Sequence, residues 1–302
     1  MAGTRRALIV CGLPGDDEHH RLLAGAVGKI AQALTERCGF AVADVWLRVA
    51  DDGPGAEPFG PTTNRGPANR AAIEADVAEL RRQLGPEDAL WVIVLGHGHY
   101  DGRTAHVNLP GPDIDGPELG KMFAGIAAQE QVFFLTTSAS GYLLKPLSTP
   151  GRVVITATEP DRELNETLFP LALADVLAAP PPEADRDKQG GFSLLELYLA
   201  VVTDVLRRYA QAEEIPTEHA RLDDNGDGHG SEVQRKYLPP ALLEPVRKNE
   251  IAKEKGKAKL AETEVTLGPK DDGARAATIR VDRPAGSGTS GSAQLKDRRS
   301  IR

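Results

Sequence analysis

The sequence predicts an α/β protein, a three-layer α/β/α sandwich with a mostly parallel central sheet. Three observations carry that expectation. Short β-branched apolar runs recur along the first half of the chain, segments with helical spacing separate them, and each run stops at small or polar residues. The runs are nearly continuous rather than alternating, which is the pattern of strands buried on both faces. Strands alternating with helices then give a parallel sheet covered on both sides.

The first run is residues 7–11, and Leu22, Leu23, Val27, Ile30, Ala31 and Leu34 follow it with helical spacing. A second strand is expected over 43–49, and residues 51–70 form a long polar loop rich in Gly and Pro. Residues 71–84 read as a helix with Ile73, Val77 and Leu80 on one face. The third strand, 90–95, runs into Gly96, His97 and Gly98. A proline-stiffened link crosses the top of the sheet, and Asp115 and Glu118 open a helix ending near Gly125. Strands at 132–136 and 153–157 and a helix at 167–177 complete a core over residues 1–180. Residues 181–246 are a helical extension packed on that core, with two acidic loops. Residues 247–302 are a charged and Gly/Ser-rich tail, with an edge strand at 276–281 and disorder over the last 20 or so.

Composition excludes several classes. The 302 residues carry a formal net charge of -8 and offer no broad basic face for nucleic acid. The amino-terminal apolar run is too short for a membrane span or a signal peptide, so a cytoplasmic chain with no membrane partner is expected. Two cysteines, Cys11 and Cys38, are too few for a disulfide scaffold. The loop after the first strand has neither GK[ST] nor GxGxxG, and its Asp16 and Asp17 would repel a phosphate, so no organic cofactor is expected.

The chemistry is expected beyond the carboxyl ends of the strands. His97 and Ser138 end neighbouring strands there, as a base facing a nucleophile. Gly98 and Ser138 are the candidate oxyanion donors, through their backbone N–H groups. His19, His20, His99 and His106 have no zinc spacing.

Two acidic loops suggest calcium. Over residues 185–196, Asp185, Asp187 and Gln189 stand at positions 1, 3 and 5, with Gly190 at the turn. Gly191 and Ser193 follow at 7 and 9, and Glu196 closes the loop at 12, before a helix. In the second loop Asp223, Asn225, Asp227 and His229 occupy positions 1, 3, 5 and 7, with Glu232 as a displaced carboxylate. An Asx-rich turn held by its own side chains is the rival reading of that loop.

The pieces ALIVCG, WVIVLGHG, QVFFLTTSASG, RVVITAT and NETLF together resemble the caspase–legumain clan of cysteine peptidases, on the legumain-like, bacterial caspase-like side. They span somewhat over half the chain. The resemblance implies that His97 is the catalytic histidine and that Ser138 stands where the clan has its nucleophilic cysteine. A shifted register would put Ala139 there, and neither supplies a thiol. It implies a substrate pocket near Arg21 and along Asp161, Arg162 and Glu163. A serine needs a well-oriented base and usually a third group fixing the imidazole, for which Asp101 and Asp113 are the nearby carboxylates. Three readings follow. The first is a peptidase-fold protein that binds a peptide or protein partner with little or no turnover. The second is an active serine hydrolase using Ser138 and His97. The third is a calcium-responsive interaction domain. Oligomeric state is left open.

Overall fold

In the computed structural model the chain is described over residues 3–50, 64–161, 163–188, 190–243 and 265–282. The core is a seven-stranded sheet. In chain order its elements begin with β1 (Arg5–Cys11), α1 (Asp17–Glu36), β2 (Val45–Val49), β3 (Asn64–Pro67), α2 (Arg70–Gln83) and β4 (Ala89–Leu95). A three-stranded hairpin sheet follows, β5 (Gly98–Tyr100), β6 (Ala105–Val107) and β7 (Ile114–Asp115), leading into α3 (Gly116–Met122). Then come β8 (Glu130–Leu135), α4 (Gly141–Leu147), β9 (Arg152–Thr156), α5 (Phe169–Ala178), α6 (Leu194–Ala212), β10 (Arg221–Asp223) and the short α7 (Pro240–Leu243).

The strand order is β10-β9-β8-β4-β1-β2-β3. All pairings are parallel except the edge strand β10, which runs antiparallel to β9. The side-chain period of two sorts the strand residues onto two faces. Ile9, Leu47, Ile93, Phe134 and Ile155 pack with buried residues of α1, α5 and α6. Leu8, Val10, Val92, Phe133 and Val154 pack with α2, α3 and α4 on the other face. This is the expected sandwich.

Four features differ from the sequence expectation. β10 joins the main sheet, so the segment after residue 180 contributes to the sandwich itself. The link after His97 is a hairpin sheet, turned at Asp101, whose carboxylate accepts from the amides of Arg103 and Thr104. The long loop contains β3 at its end, while residues 51–63 lie outside the described residues. Finally, the expected edge strand at 276–281 is a short 3-10 turn at Ala276–Thr278, with a single bridge between Ser193 and Arg280. Leu194 N donates to Ile279 O and Val281 N to Phe192 O, so this segment straps the start of α6 instead of extending a sheet. Most of the expected tail, 247–264 and 283–302, lies outside the described residues. No helix among the described residues is long and apolar enough to cross a membrane.

Charges buried at the amino ends of the strands are hydrogen-bonded within the protein. Arg5 donates to Cys38 O at 2.6 Å and to Glu130 at 2.9 Å. Arg152 donates to Leu147 O at 2.7 Å, Phe123 O at 3.1 Å and Gln131 at 2.9 Å. One carboxylate deeper in the fold is different. Glu218 accepts from the amides of Leu168 at 2.7 Å and Phe169 at 3.2 Å, at the start of α5. Burial still pushes its carboxyl from 4.5 up to about 7. A raised folded-state pKa means the native chain holds this proton more tightly than the unfolded chain. Its stabilising contribution is complete below pH 4.5 and is lost as pH rises through 7. Glu218→Gln is expected to remove up to about 3 kcal/mol of the fall in unfolding free energy across that window. Urea denaturation of both proteins at several pH values measures it; parallel stability–pH curves would contradict it.

Candidate functional site

His97 follows β4 and Ser138 follows β8, so both lie at the carboxyl end of the sheet, after neighbouring parallel strands. β2 lies on one side of β1 and β4 on the other, so the chain reverses direction there. The crevice outside such a switch point is where open α/β sheets bind ligands. Backbone bonds continue past the strand ends and fix His97: its N–H donates to Leu13 O at 3.0 Å and its carbonyl accepts from Asn108 N at 3.1 Å.

The imidazole is held as well. His97 Nε2 lies 2.8 Å from Pro14 O and 3.3 Å from Glu166 Oε1. A carbonyl oxygen can only accept, so Nε2 carries the hydrogen, and in the neutral ring Nδ1 holds the lone pair. Gly15 makes the approach of Pro14 and the ring feasible: its φ is +88°, and a Cβ there would stand 2.5 Å from Nε2.

Ser138 is 4% exposed. Its hydroxyl donates to Gly98 O at 2.9 Å and accepts from Gly98 N at 3.3 Å. The hydroxyl proton therefore lies on a carbonyl, and the candidate oxyanion donor Gly98 N–H is already engaged by the candidate nucleophile. The next residue, Ala139, is in the left-handed region with φ 55° and is fully buried. That conformation costs an L-residue roughly 1–2 kcal/mol, and its position at a strand-to-helix turn marks a constrained site. Ala139 N donates to Glu163 O at 3.1 Å. Ser140 is structural: its Oγ accepts from the amides of Ala157 at 3.1 Å and Thr158 at 3.2 Å.

The carboxylate that reaches His97 is Glu166; Asp101 and Asp113 serve elsewhere. Asp101 holds its own turn and faces His106; Asp113 accepts from Leu109 N at 2.9 Å. Glu166 bridges His97 and His19, and His19 Nδ1 lies 2.9 Å from Asp16 Oδ1. The Asp16 bond raises the His19 pKa. Asp16 caps α1 three residues before His19, and nothing in the sequence ties either residue to Glu166.

The remaining pocket candidates separate. Arg21 and Asp161 are exposed, and Arg162 lies outside the described residues. Glu163 turns inward, toward β10 and the end of β9. It pairs with His219 Nδ1 and accepts from His219 N at 2.9 Å and Glu159 N at 2.8 Å. This bond to Glu163 raises the His219 pKa. Glu159, Glu163 and His219 form one cluster whose ligand atoms lie within 4.8 Å of one another and can hold a metal ion. The antiparallel edge strand β10 assembles it, and no local spacing announces it.

Asp185, Asp187 and Glu196 form a second such cluster. Gly190 N donates to Asp185 at 3.0 Å, as a tight turn at position 6 requires. Gln189 lies outside the described residues, and Gly191 is packed against the Asp282 carboxylate. Glu196 is occupied within the protein. Its Oε1 accepts from the amides of Arg186 at 2.7 Å and Asp187 at 3.2 Å. Its Oε2 accepts from Ser193 N at 2.8 Å and Ser193 Oγ at 2.9 Å. Bidentate ligation would require part of this cap to open.

In the second loop the side chains hold the turn. Asp223 accepts from Gly226 N and Gly228 N, each at 2.9 Å. Asn225 accepts from Asp227 N, and Asp227 from His229 N, each at 2.8 Å. Glu232 faces Arg235 at 2.5 Å and Arg221 at 3.8 Å, so it supplies no displaced ligand in this arrangement. The Asx-rich turn accounts for this loop.

No family model matches the chain, and no curated protein matches it. Among solved structures it is similar to that of protein GSU0716 from Geobacter sulfurreducens, at 15% identity, over 73% of this chain and 92% of that one, with a TM-score of 0.46. Likeness of that degree says nothing about the site.

The site's tightest steric condition is at Gly98. A Cβ there would stand 2.7 Å from Ser138 O and 2.9 Å from both His106 O and Thr137 Oγ1. Two of the three are backbone atoms, which cannot step aside cheaply. Gly98→Ala is expected to destabilise the fold by about 1–3 kcal/mol. A urea midpoint equal to wild type would show that the strand end shifts freely.

Proposed function

We propose that this protein is a caspase/legumain-like peptidase-fold protein that binds a peptide or protein partner at the carboxyl end of its sheet and turns it over poorly or not at all. The observation that carries this reading is the hydrogen bonding of Ser138. Its hydroxyl donates to the Gly98 carbonyl and accepts from the Gly98 N–H, and His97 Nε2–H faces Pro14 O. Attack would require breaking both bonds, each worth about 0.5–1.5 kcal/mol, before an alkoxide far harder to form than a thiolate.

One observation favours a second reading, an active endopeptidase or other hydrolase with Ser138 as nucleophile and His97 as base. Glu166 stands on His97 Nε2 at 3.3 Å, as the third group that orients an imidazole for a serine. Peptide-library cleavage by wild type, Ser138→Ala and Glu166→Gln separates the readings. Cleavage lost in Ser138→Ala would establish the hydrolase and remove the binding-only reading.

Calcium is the proposed occupant of residues 185–196, because Asp185, Asp187 and Glu196 offer hard oxygens. The test variant is Asp187→Asn, since Glu196 also holds the helix cap. Calorimetry should show calcium binding that Asp187→Asn weakens; absence of binding heat with verified apo protein would retire the idea.

The missing thiol gives the sharpest test. Burial pushes both Cys11 and Cys38 up to about 12, so wild type should resist a thiol-directed alkylating agent. Ser138→Cys is expected to be labelled at that position, at least about tenfold faster than the same variant carrying His97→Ala. Intact-mass spectrometry decides it. A folded Ser138→Cys protein labelled no faster than its His97→Ala counterpart would show that His97 does not act on residue 138.

A further inference from the structure

The hairpin that leaves His97 carries two more histidines. β5 and β6 pair so that His99 stands directly across from His106. Their rings are stacked, with centroids 4.7 Å apart and planes 7° from parallel. Each ring has one nitrogen committed. His99 Nδ1 lies 2.6 Å from Asn108 Oδ1, and His106 Nε2 lies 3.3 Å from Asp101 Oδ2. Both partners are oxygens that accept, so the committed nitrogens carry the hydrogens. In the neutral rings the lone pairs then belong to His99 Nε2 and His106 Nδ1. Asp101 is itself fixed, because its other carboxylate oxygen accepts from the amides of Arg103 and Thr104.

An imidazole whose rear nitrogen donates to a carboxylate or amide oxygen is oriented as a metal ligand, with tautomer and ring direction set in advance. Here two such rings are neighbours on an accessible strand pair. We propose that His99 and His106 chelate a divalent transition-metal ion, with Asp101 and Asn108 as the outer partners that orient them. Imidazole nitrogens suit copper, nickel and zinc and discriminate against calcium and magnesium. The ion needs both nitrogens at about 2.0–2.1 Å for zinc. Parallel rings hold their lone pairs in parallel planes, so His106 keeps its direction while the exposed His99 ring turns toward the ion, which its surface position allows without disturbing the core. Water completes the coordination. The hairpin does not depend on the two rings for packing: Ala105, Val107 and Ile114 are its buried residues, and Tyr100 stacks on Tyr142 at 4.0 Å. The proposal is independent of any activity at Ser138.

The test titrates the whole protein with Cu²⁺, Ni²⁺ and Zn²⁺ by calorimetry, in a buffer that does not bind metals and with excess calcium to fill oxygen-donor sites. A site that depends on His99 and His106 is expected, tightest for Cu²⁺. His99→Ala and His106→Ala should each weaken it roughly tenfold or more, and Asp101→Asn roughly tenfold. Circular dichroism checks that the variants remain folded. His19→Ala and His219→Ala, which alter the other histidine-containing clusters, should leave this site intact. Electron paramagnetic resonance of the Cu²⁺ complex should show coupling to two imidazole nitrogens in wild type and to one in His99→Ala. The proposal is overturned if no transition-metal heat is observed, or if His99→Ala and His106→Ala bind with wild-type affinity and nitrogen coupling.

Discussion

The carboxyl end of the sheet depends on Gly98 having no side chain. Its Cα passes so close to Ser138 O, His106 O and Thr137 Oγ1 that a methyl group has nowhere to stand. That approach lets the N–H and the carbonyl of one residue, from successive peptide groups, both meet the Ser138 hydroxyl. It also fixes the hairpin to the end of β4, because His97 and Asn108 are bonded through their backbones one residue before β5 begins. The same residue therefore joins three things: the imidazole that precedes it, the hydroxyl that rests on it, and the strand pair that follows. Strain is stored on the opposite side of this contact, at Ala139, where the positive φ directs the chain from β8 into α4.

Much of the scaffold was legible because a two-sided parallel strand leaves a strong trace. LWVIVL and VFFL are continuous apolar runs, and both faces of the sheet demand exactly that kind of residue. The short strands were not legible. β10 is Arg221, Leu222 and Asp223, of which only Leu222 is an apolar core residue, and its place is decided by pairing with β9. The hairpin did leave a signal, the Asp101-Gly102 pair between HY and AHV, but the polar run around it reads equally well as a strand end followed by a link. At the site, His97 and Ser138 could be read because strand ends are local. Glu166 and His19 could not, since their meeting depends on how the segment after β9 folds back over the start of α1.

The acidic loops show a different kind of ambiguity, in which one spacing has two physical meanings. Positions 9 and 12 of a calcium loop, when filled by Ser193 and Glu196, are also an S-x-x-E capping box. The structure forms that box, with Ser193 as the cap of α6 and Glu196 reaching back to it. Four donors converge on the Glu196 carboxylate, two from the box and two from Arg186 and Asp187. The same pattern thus stabilises a helix start by itself, and an ion at Asp185 and Asp187 would compete with these amides for the same oxygens. Sequence spacing could not distinguish a ligand from a cap; the hydrogen bonds show the cap that an ion would have to open.

Charge is distributed unevenly between the ends of the sheet, and this difference separates structural from chemical residues. At the amino ends of the strands, Arg5 and Arg152 are buried and face backbone carbonyls, Glu130 and Gln131. These guanidinium groups spend their hydrogen bonds on the protein itself, because a buried charge left without partners costs several kcal/mol. At the carboxyl ends the polar groups are only partly committed. His97 uses one ring nitrogen, and His99 and His106 each use one. An imidazole with one nitrogen fixed and the other free is oriented but not saturated, a state suited to accepting a proton or a metal ion. Three such rings lie along ten residues of chain, on both sides of a glycine whose backbone holds the buried Ser138 hydroxyl just past the end of β8. Their unfinished hydrogen bonding, more than any sequence motif, is what distinguishes this end of the molecule from the end that only holds it together.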